Sequence, residues 1–584
     1  MNASDVLIET IQAWGVDVIF GLPGDGINGI MESLRKRKDK VRFIHVRHEE
    51  AAAFMACAYA KHTGKLGCCL ATSGPGGIHL LNGLYDAKMD GQPVLAITGM
   101  QFHDLTDTRN QQDVELDKLF ENVCVYNTRC MGPAHMENIA ELACRAALVY
   151  RGVSHLCIPI DFQSMEVKAK GNGRSDRNLP HHVSDVAAES ARIPSEDDLR
   201  KAADILNHGK RIAILAGRGA LHATAQLEQT AAKLSAPIAK ALLGKASVPD
   251  ESPYTTGSIG LLGTLPSQEM MEDCDTLLIA GSSFPYIEFM PKPGQARAVQ
   301  IDLDPLRIGL RYPVEVGLVG DCRRTLEKLL PLLKSNGRGS FLRQAQAGMK
   351  DWKKRMDDES AVSTRPMKPQ RLAAELGKRL PENAIVNCDS GTIATWWARH
   401  IPAKRGQMHT VSGNLATMAC GLPYTIASQI AYPGRLCVGF VGDGGFSMLM
   451  AEFVTAVRYQ LPIKIVVVKN NVLGQIKWEQ MVFLGNPEYE CDLTPIHFAD
   501  FARACGGAGF TIEDPDQCGA ILDRALETSG PVIIEAVVDP NEPPMPAKVT
   551  VKQARHFAES IARGTPDRRK IVETIMEDKV RELL

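Results

Sequence analysis

The chain carries almost no charge excess. Its 66 Lys and Arg stand against 68 Asp and Glu, a net charge of −2 over 584 residues. That removes the electrostatic case for nucleic acid, which calls for a basic face. No apolar run approaches the ~20 residues needed to cross a bilayer, and Met1-Asn2-Ala3-Ser4-Asp5 lacks the basic-then-apolar pattern of a secretory leader. The fifteen cysteines include no Cys-x-x-Cys pair, and Cys68, Cys69, Cys157 and Cys437 sit in apolar runs. A zinc site and a disulfide framework are therefore not expected; reduced, buried thiols of a cytoplasmic protein are. His-Glu-x-x-His and Walker-type motifs are missing too, as are short repeats.

What is present is alternation of strand-like and helical segments, which predicts an α/β fold. Residues 1–165 hold strands at Ile19-Phe20-Gly21 and Gly67-Cys68-Cys69-Leu70-Ala71, the latter running into Ser73-Gly74-Pro75-Gly76-Gly77. A polar, aperiodic stretch at 168–194 reads as a linker. A second unit is expected over 190–335 and a third over 365–542, each a doubly wound parallel sheet. The tail, 543–584, is expected to be helical and packed on its own protein; lipid contact is disfavoured because its polar face mixes acids and bases.

The sharpest chemistry lies in the third unit. Leu436-Cys437-Val438-Gly439-Phe440-Val441 is a continuous apolar run, the pattern of a strand buried on both faces. Helical periodicity follows over 446–459, then a second strand, Ile463-Lys464-Ile465-Val466-Val467-Val468. Such a crossover puts Asp443 and Asn470 at the ends of neighbouring strands, on the edge where open α/β sheets bind ligands. A carboxylate and an amide oxygen there suit Mg²⁺, which fills its remaining positions with phosphate oxygens and water. A plain helix N-cap would explain Asp443 alone, but not the Asn470-Asn471 pair at this spacing.

This segment resembles the signature of the thiamine diphosphate (ThDP) enzymes, the superfamily of pyruvate oxidase, acetolactate synthase and pyruvate decarboxylase. The resemblance extends over the whole chain and is strongest to the pyruvate oxidases, including the quinone-linked type. It implies that Asp443, Gly444, Gly445, Asn470 and the Val472 carbonyl hold Mg²⁺ and the diphosphate, with Asp389 a weaker anchor. It also implies that the Ala416 carbonyl and Met418 seat the pyrimidine. Glu49, first of the pair Glu49-Glu50, would activate the cofactor, a task needing a carboxyl in a low-dielectric pocket. Gln475 and Glu479 are four apart and share a helical face; Glu479 falls where oxidases and decarboxylases keep an active-site acid.

In the central unit Gly260, Gly263, Phe284 and Asp302 match segments that wrap FAD, and Asp302 could take a ribose hydroxyl. Two positions depart from the oxidase pattern: Gln111, beside the catalytic candidate Gln112, and Gln475 stand where aromatics are usual. His79 and His103 read as structural histidines. The resemblance implies oxidation of pyruvate through FAD to oxygen or a quinone by a homo-oligomer, a dimer at least, with a tetramer expected. An acetolactate synthase-like carboligase and a non-oxidative decarboxylase are the alternatives.

Overall fold

In this computed structural model the description covers residues 1–167, 192–337 and 339–583, with side chains to 575 in the last helix. Three six-stranded, wholly parallel sheets organise it. The first holds β1 (Val18–Gly21), β2 (Arg42–His45), β3 (Gly67–Ala71), β4 (Val94–Met100), β5 (Cys124–Arg129) and β6 (Val153–Pro159), in the order β2-β1-β3-β4-β6-β5. β4 is buried at every position, as an apolar strand with helices on both faces must be.

The central sheet holds β7 (Ile212–Ala216), β8 (Ile238–Lys240), β9 (Thr255–Ser258), β10 (Thr276–Ala280), β11 (Arg297–Asp302) and β12 (Val316–Val319). Its order, β12-β11-β10-β7-β8-β9, is that of the dinucleotide-binding sheet, with its switch point between β7 and β10. The third sheet holds β13 (Ile385–Cys388), β14 (Met408–Thr410), β15 (Cys437–Gly442), β16 (Lys464–Lys469), β17 (Ala508–Ile512) and β18 (Val532–Val537). Its order, β14-β13-β15-β16-β18-β17, repeats that of the first, so the two outer units share one topology.

The outer units share one core. Helix Glu49–Thr63 is buried along nearly its whole length, because it is sandwiched against Gly421–Ala431 of the third unit. Phe54 and Tyr424 meet edge to face there at 6.3 Å, and both join a cluster running from Phe20 to Ile533. Alanines at 51–53, 56, 58 and 60 let the two helices approach closely. All fifteen cysteines are free and thirteen are buried.

One expectation needs adjusting. The helix expected over 446–459 is broken into Asp443–Leu449, a 3-10 turn Met450–Glu452, and Phe453–Arg458; the break carries the Glu452 carboxylate to the backbone of Arg47. The expected linker at 168–194 falls, over residues 168–191, outside the described residues. The tail forms helices Val551–Ala562 and Arg568–Leu583. It packs on the third unit, with Ile571 fully buried beside Trp478, Met481 and Val482. Among the described residues no helix is long and apolar enough to cross a membrane.

Candidate active site

Asp443 and Asn470 close neighbouring parallel strands, β15 and β16, in register Gly442 to Val468. Asp389 follows β13, which flanks β15 on the other side, so Asp389 and Asp443 stand on either side of the point where strand order reverses. Asp443 is 6% exposed. Its Oδ1 accepts from the Gly444 N–H at 3.0 Å and its Oδ2 from the Asn471 N–H at 2.7 Å. Burial outweighs those bonds and pushes its carboxyl up to about 6; burial does the same to Asp389. Asn470 Oδ1 accepts from the Val472 N–H at 3.1 Å, and the Val472 carbonyl accepts from the Gly474 N–H at 2.9 Å.

The segment after β14 folds against this edge. Met418 Cε lies 3.3 Å from where a Cβ on Gly444 would sit, and Asp389 Oδ2 accepts from the Ala419 N–H at 3.2 Å. Ala416, Ala419 and Asn471 have φ of 55°, 75° and 54°. Strained non-glycine backbone of this kind gathers at ligand sites. A Cβ at Gly445 would lie 2.4 Å from Asp389 Oδ2, so Gly445→Ala must displace that carboxylate. We expect a cost of ~1–3 kcal/mol, read as a lowered urea midpoint, together with weakened cofactor retention.

Glu49 opens its helix with 5% exposure. Its Oε2 lies 3.0 Å from His79 Nδ1, and the His79 ring stacks on His48 at 4.5 Å. Glu49 Oε1 lies 3.2 Å from a Cβ position on Gly76, so the glycine turn after β3 leaves it room. Gln112, at φ 59°, accepts from Ser73 Oγ at 2.6 Å, joining that turn. His103 pairs instead with Asp161 at 2.5 Å and stacks on Phe162, away from Glu49's partners. Gln475 Nε2 donates to Glu479 Oε1 at 2.9 Å, and Glu479 is exposed. No hydrogen bond among the described residues joins Glu49 directly to Asp443 or Asn470.

Gly260, Phe284 and Asp302 lie at or beyond the carboxyl ends of β9, β10 and β11. Phe284 comes within 2.9 Å of a Cβ position on Gly260, and the Gly263 carbonyl accepts from half-buried Arg399 of the third unit at 3.2 Å. A feature that sequence reasoning missed stands beside them. Arg218, after β7, and Arg307, after β11, both reach within 3.3 Å of a Cβ position on Gly91, where the Arg151 carbonyl also lies. Burial and then the charges of Arg151 and Arg307 push Arg218 down to about 10. Asp90 and Asp302 offset part of that repulsion, and guanidinium groups held together in this way suit an anionic ligand. The legible signal was Gly217-Arg218-Gly219 directly after a strand.

Family models for the N-terminal, central and C-terminal domains of thiamine pyrophosphate enzymes match residues 1–119, 199–329 and 389–536. The chain belongs to the thiamine pyrophosphate enzymes. A putative thiamine pyrophosphate-containing protein, YdaP, of Bacillus subtilis is 38% identical, over 95% of each chain. A pyruvate oxidase of Lactiplantibacillus plantarum is 29% identical over 96% of this chain and 92% of its own. The large subunit of Escherichia coli acetolactate synthase isozyme 2 is 30% identical over 92% and 96%.

The residues of this thiamine pyrophosphate enzyme fit the cofactor. Among the described residues the buried Asp443 carboxylate has no cationic hydrogen-bond partner, and a divalent ion would supply one. A Cβ on Gly442 would meet nothing within 4 Å, leaving space at the strand end.

Proposed function

We propose that the chain is a ThDP- and Mg²⁺-dependent enzyme that decarboxylates a 2-oxo acid, pyruvate first among them, and passes two electrons through bound FAD to oxygen or a quinone. The observation that carries the redox part is the central sheet: dinucleotide-type strand order, with Arg218 after β7 and Arg307 after β11 reaching one position beside Gly91. The bound thiazolium supplies the electron sink for loss of CO₂. Asp443, Asn470 and the Val472 carbonyl would ligate Mg²⁺, and Gly444 and Gly445 at the helix start would receive the diphosphate. Ala416 and Met418 would seat the pyrimidine, while Glu49 would hold the proton of its ring nitrogen. Gln112 and Glu479 would face the substrate. Gly260, Gly263, Phe284 and Asp302, with the arginines, would hold FAD.

A second copy is part of the proposal. Ile78 beside His79, Met448 in the helix after Asp443, and Ile476 beside Gln475 are 43%, 58% and 46% exposed. Apolar side chains so close to the reacting groups support cover by another subunit, in a dimer or tetramer. A carboligase of acetolactate synthase type is the second reading, supported by a relative of that name as similar as the pyruvate oxidase. The visible spectrum of the purified protein with ThDP and Mg²⁺, taken anaerobically before and after pyruvate, separates them; light scattering on the same sample reads the mass. Bleaching of a yellow flavin is expected. A flavin that stays yellow while CO₂ appears would transfer the assignment to the carboligase, and absence of flavin would refute the redox reading.

A further inference from the structure

The two segments that carry Glu49 and Met418 occupy equivalent places: each follows the edge strand of its sheet, β2 in the first unit and β14 in the third. An edge strand leaves alternate backbone groups unpaired. In the first unit the Val46 N–H turns inward, to the Gly21 carbonyl at 3.0 Å. The outward N–H groups on either side are taken by the third unit. His45 N–H donates to the Tyr459 hydroxyl at 2.8 Å, and Arg47 N–H to the Glu452 carboxylate at 3.0 and 3.1 Å. Glu452 is 1% exposed.

The first unit returns the same service. Lys61 Nζ donates to the Val411 carbonyl at 3.0 Å, and Ser412 Oγ donates to Asp86 at 2.7 Å. The Gly413 and Asn414 N–H groups donate to Asp90 at 3.0 and 2.9 Å. Lys61 also bonds Asp90 at 2.8 Å, tying the set together. Ser412 Oγ in turn accepts from the Thr417 N–H at 3.2 Å, one residue before Met418. Asp86 and Asp90 are fully buried, and in both directions the holding residues come largely from the crossover after the third strand of the unit.

We propose a reciprocal clamp, in which each outer unit fixes the segment through which the other meets the cofactor. Glu452 and Tyr459 are positioning residues for Glu49, and Lys61, Asp86 and Asp90 are positioning residues for Ala416 and Met418. The proposal rests on the ThDP reading above for its functional half only. A bonded edge N–H is withdrawn from solvent, and the residue two positions on inherits a fixed direction; loss of the acceptor frees both.

The test uses full-length protein in two stages. Amide hydrogen exchange without cofactor compares wild type, Glu452→Ala, Glu452→Gln and Tyr459→Phe. Glu452→Ala should speed exchange at Arg47 by about tenfold or more, Glu452→Gln should restore protection because its amide oxygen still accepts, and Tyr459→Phe should do the same at His45 as Glu452→Ala does at Arg47. Unchanged exchange in both Glu452→Ala and Tyr459→Phe overturns the clamp. With ThDP and Mg²⁺, Glu452→Ala should lower kcat by about tenfold with ThDP half-saturation unchanged, and Lys61→Met should raise ThDP half-saturation instead. Equal damage to both quantities in both variants overturns the division of labour. A wild type indifferent to ThDP refutes the functional reading, while the exchange result still stands for or against the clamp.

Discussion

Glu49→Gln should lower kcat by about 10²–10⁴-fold, the usual worth of a positioned proton-transfer group, while ThDP still binds. Glutamine keeps the volume of the side chain at a position only 5% exposed, so no cavity opens and no core contact is lost. It can also still face His79 Nδ1, now 3.0 Å from the carboxylate, by presenting whichever amide atom the imidazole tautomer requires. What glutamine cannot do is hold and return a proton at the ring nitrogen of the cofactor. Turnover should therefore collapse while the protein's intrinsic fluorescence still responds to ThDP. Activity within tenfold of wild type would remove Glu49 from the chemistry. A loss of ThDP binding in step with kcat would make it a structural acid.

The parts of this molecule that were legible in the sequence are those written in short-range pattern. Continuous apolar runs gave β3, β15 and β16, because a strand covered on both faces has no polar alternation to hide it. The spacing between Asp443 and Asn470 placed both at one sheet edge, since a crossover of that length allows little else. Gln475 and Glu479 met because four residues make one helical turn. What stayed illegible is long-range. Nothing near Arg151 in the chain announces Arg218 or Arg307, and a single arginine between glycines has many explanations. Glu452 reads as one more polar residue of a helix until the break after Leu449 turns it toward Arg47. Lys61 reads as an exposed lysine near a helix end; only the packing of Glu49–Thr63 against Gly421–Ala431 buries it with Asp86 and Asp90. The tail's amphipathic helix was visible, but not the Trp478 cluster it covers.

Asp443→Asn should abolish the response to cofactor while sparing the fold, and the balance of terms explains why. In the apoprotein the carboxylate is buried and held at about 6, roughly 2 units above an ordinary Asp, which corresponds to about 3 kcal/mol of cost when it ionises. Because the folded-state value is raised, that cost is absent below the unfolded value and grows as pH rises through the folded one. Asparagine removes it. Against this, both carboxylate oxygens accept backbone N–H groups, from Gly444 and Asn471; an amide can serve only one, and the other is left unpaired at a cost of ~1–3 kcal/mol. The two nearly cancel, so the variant apoprotein should unfold in urea within about 2 kcal/mol of wild type at pH 8. The ligand response should differ far more. A cofactor present at a hundred times its dissociation constant stabilises wild type by about 2.7 kcal/mol, and in the proposed site its metal affinity would depend on the Asp443 carboxylate. Replacing a residue that only orients a metal ligand costs ~10–100-fold in affinity; replacing the charged ligand itself should cost more. Thermal unfolding of wild type should then shift upward with Mg²⁺ and ThDP and return with a chelator, while Asp443→Asn shows neither movement. An equal shift in both proteins would take the metal away from Asp443.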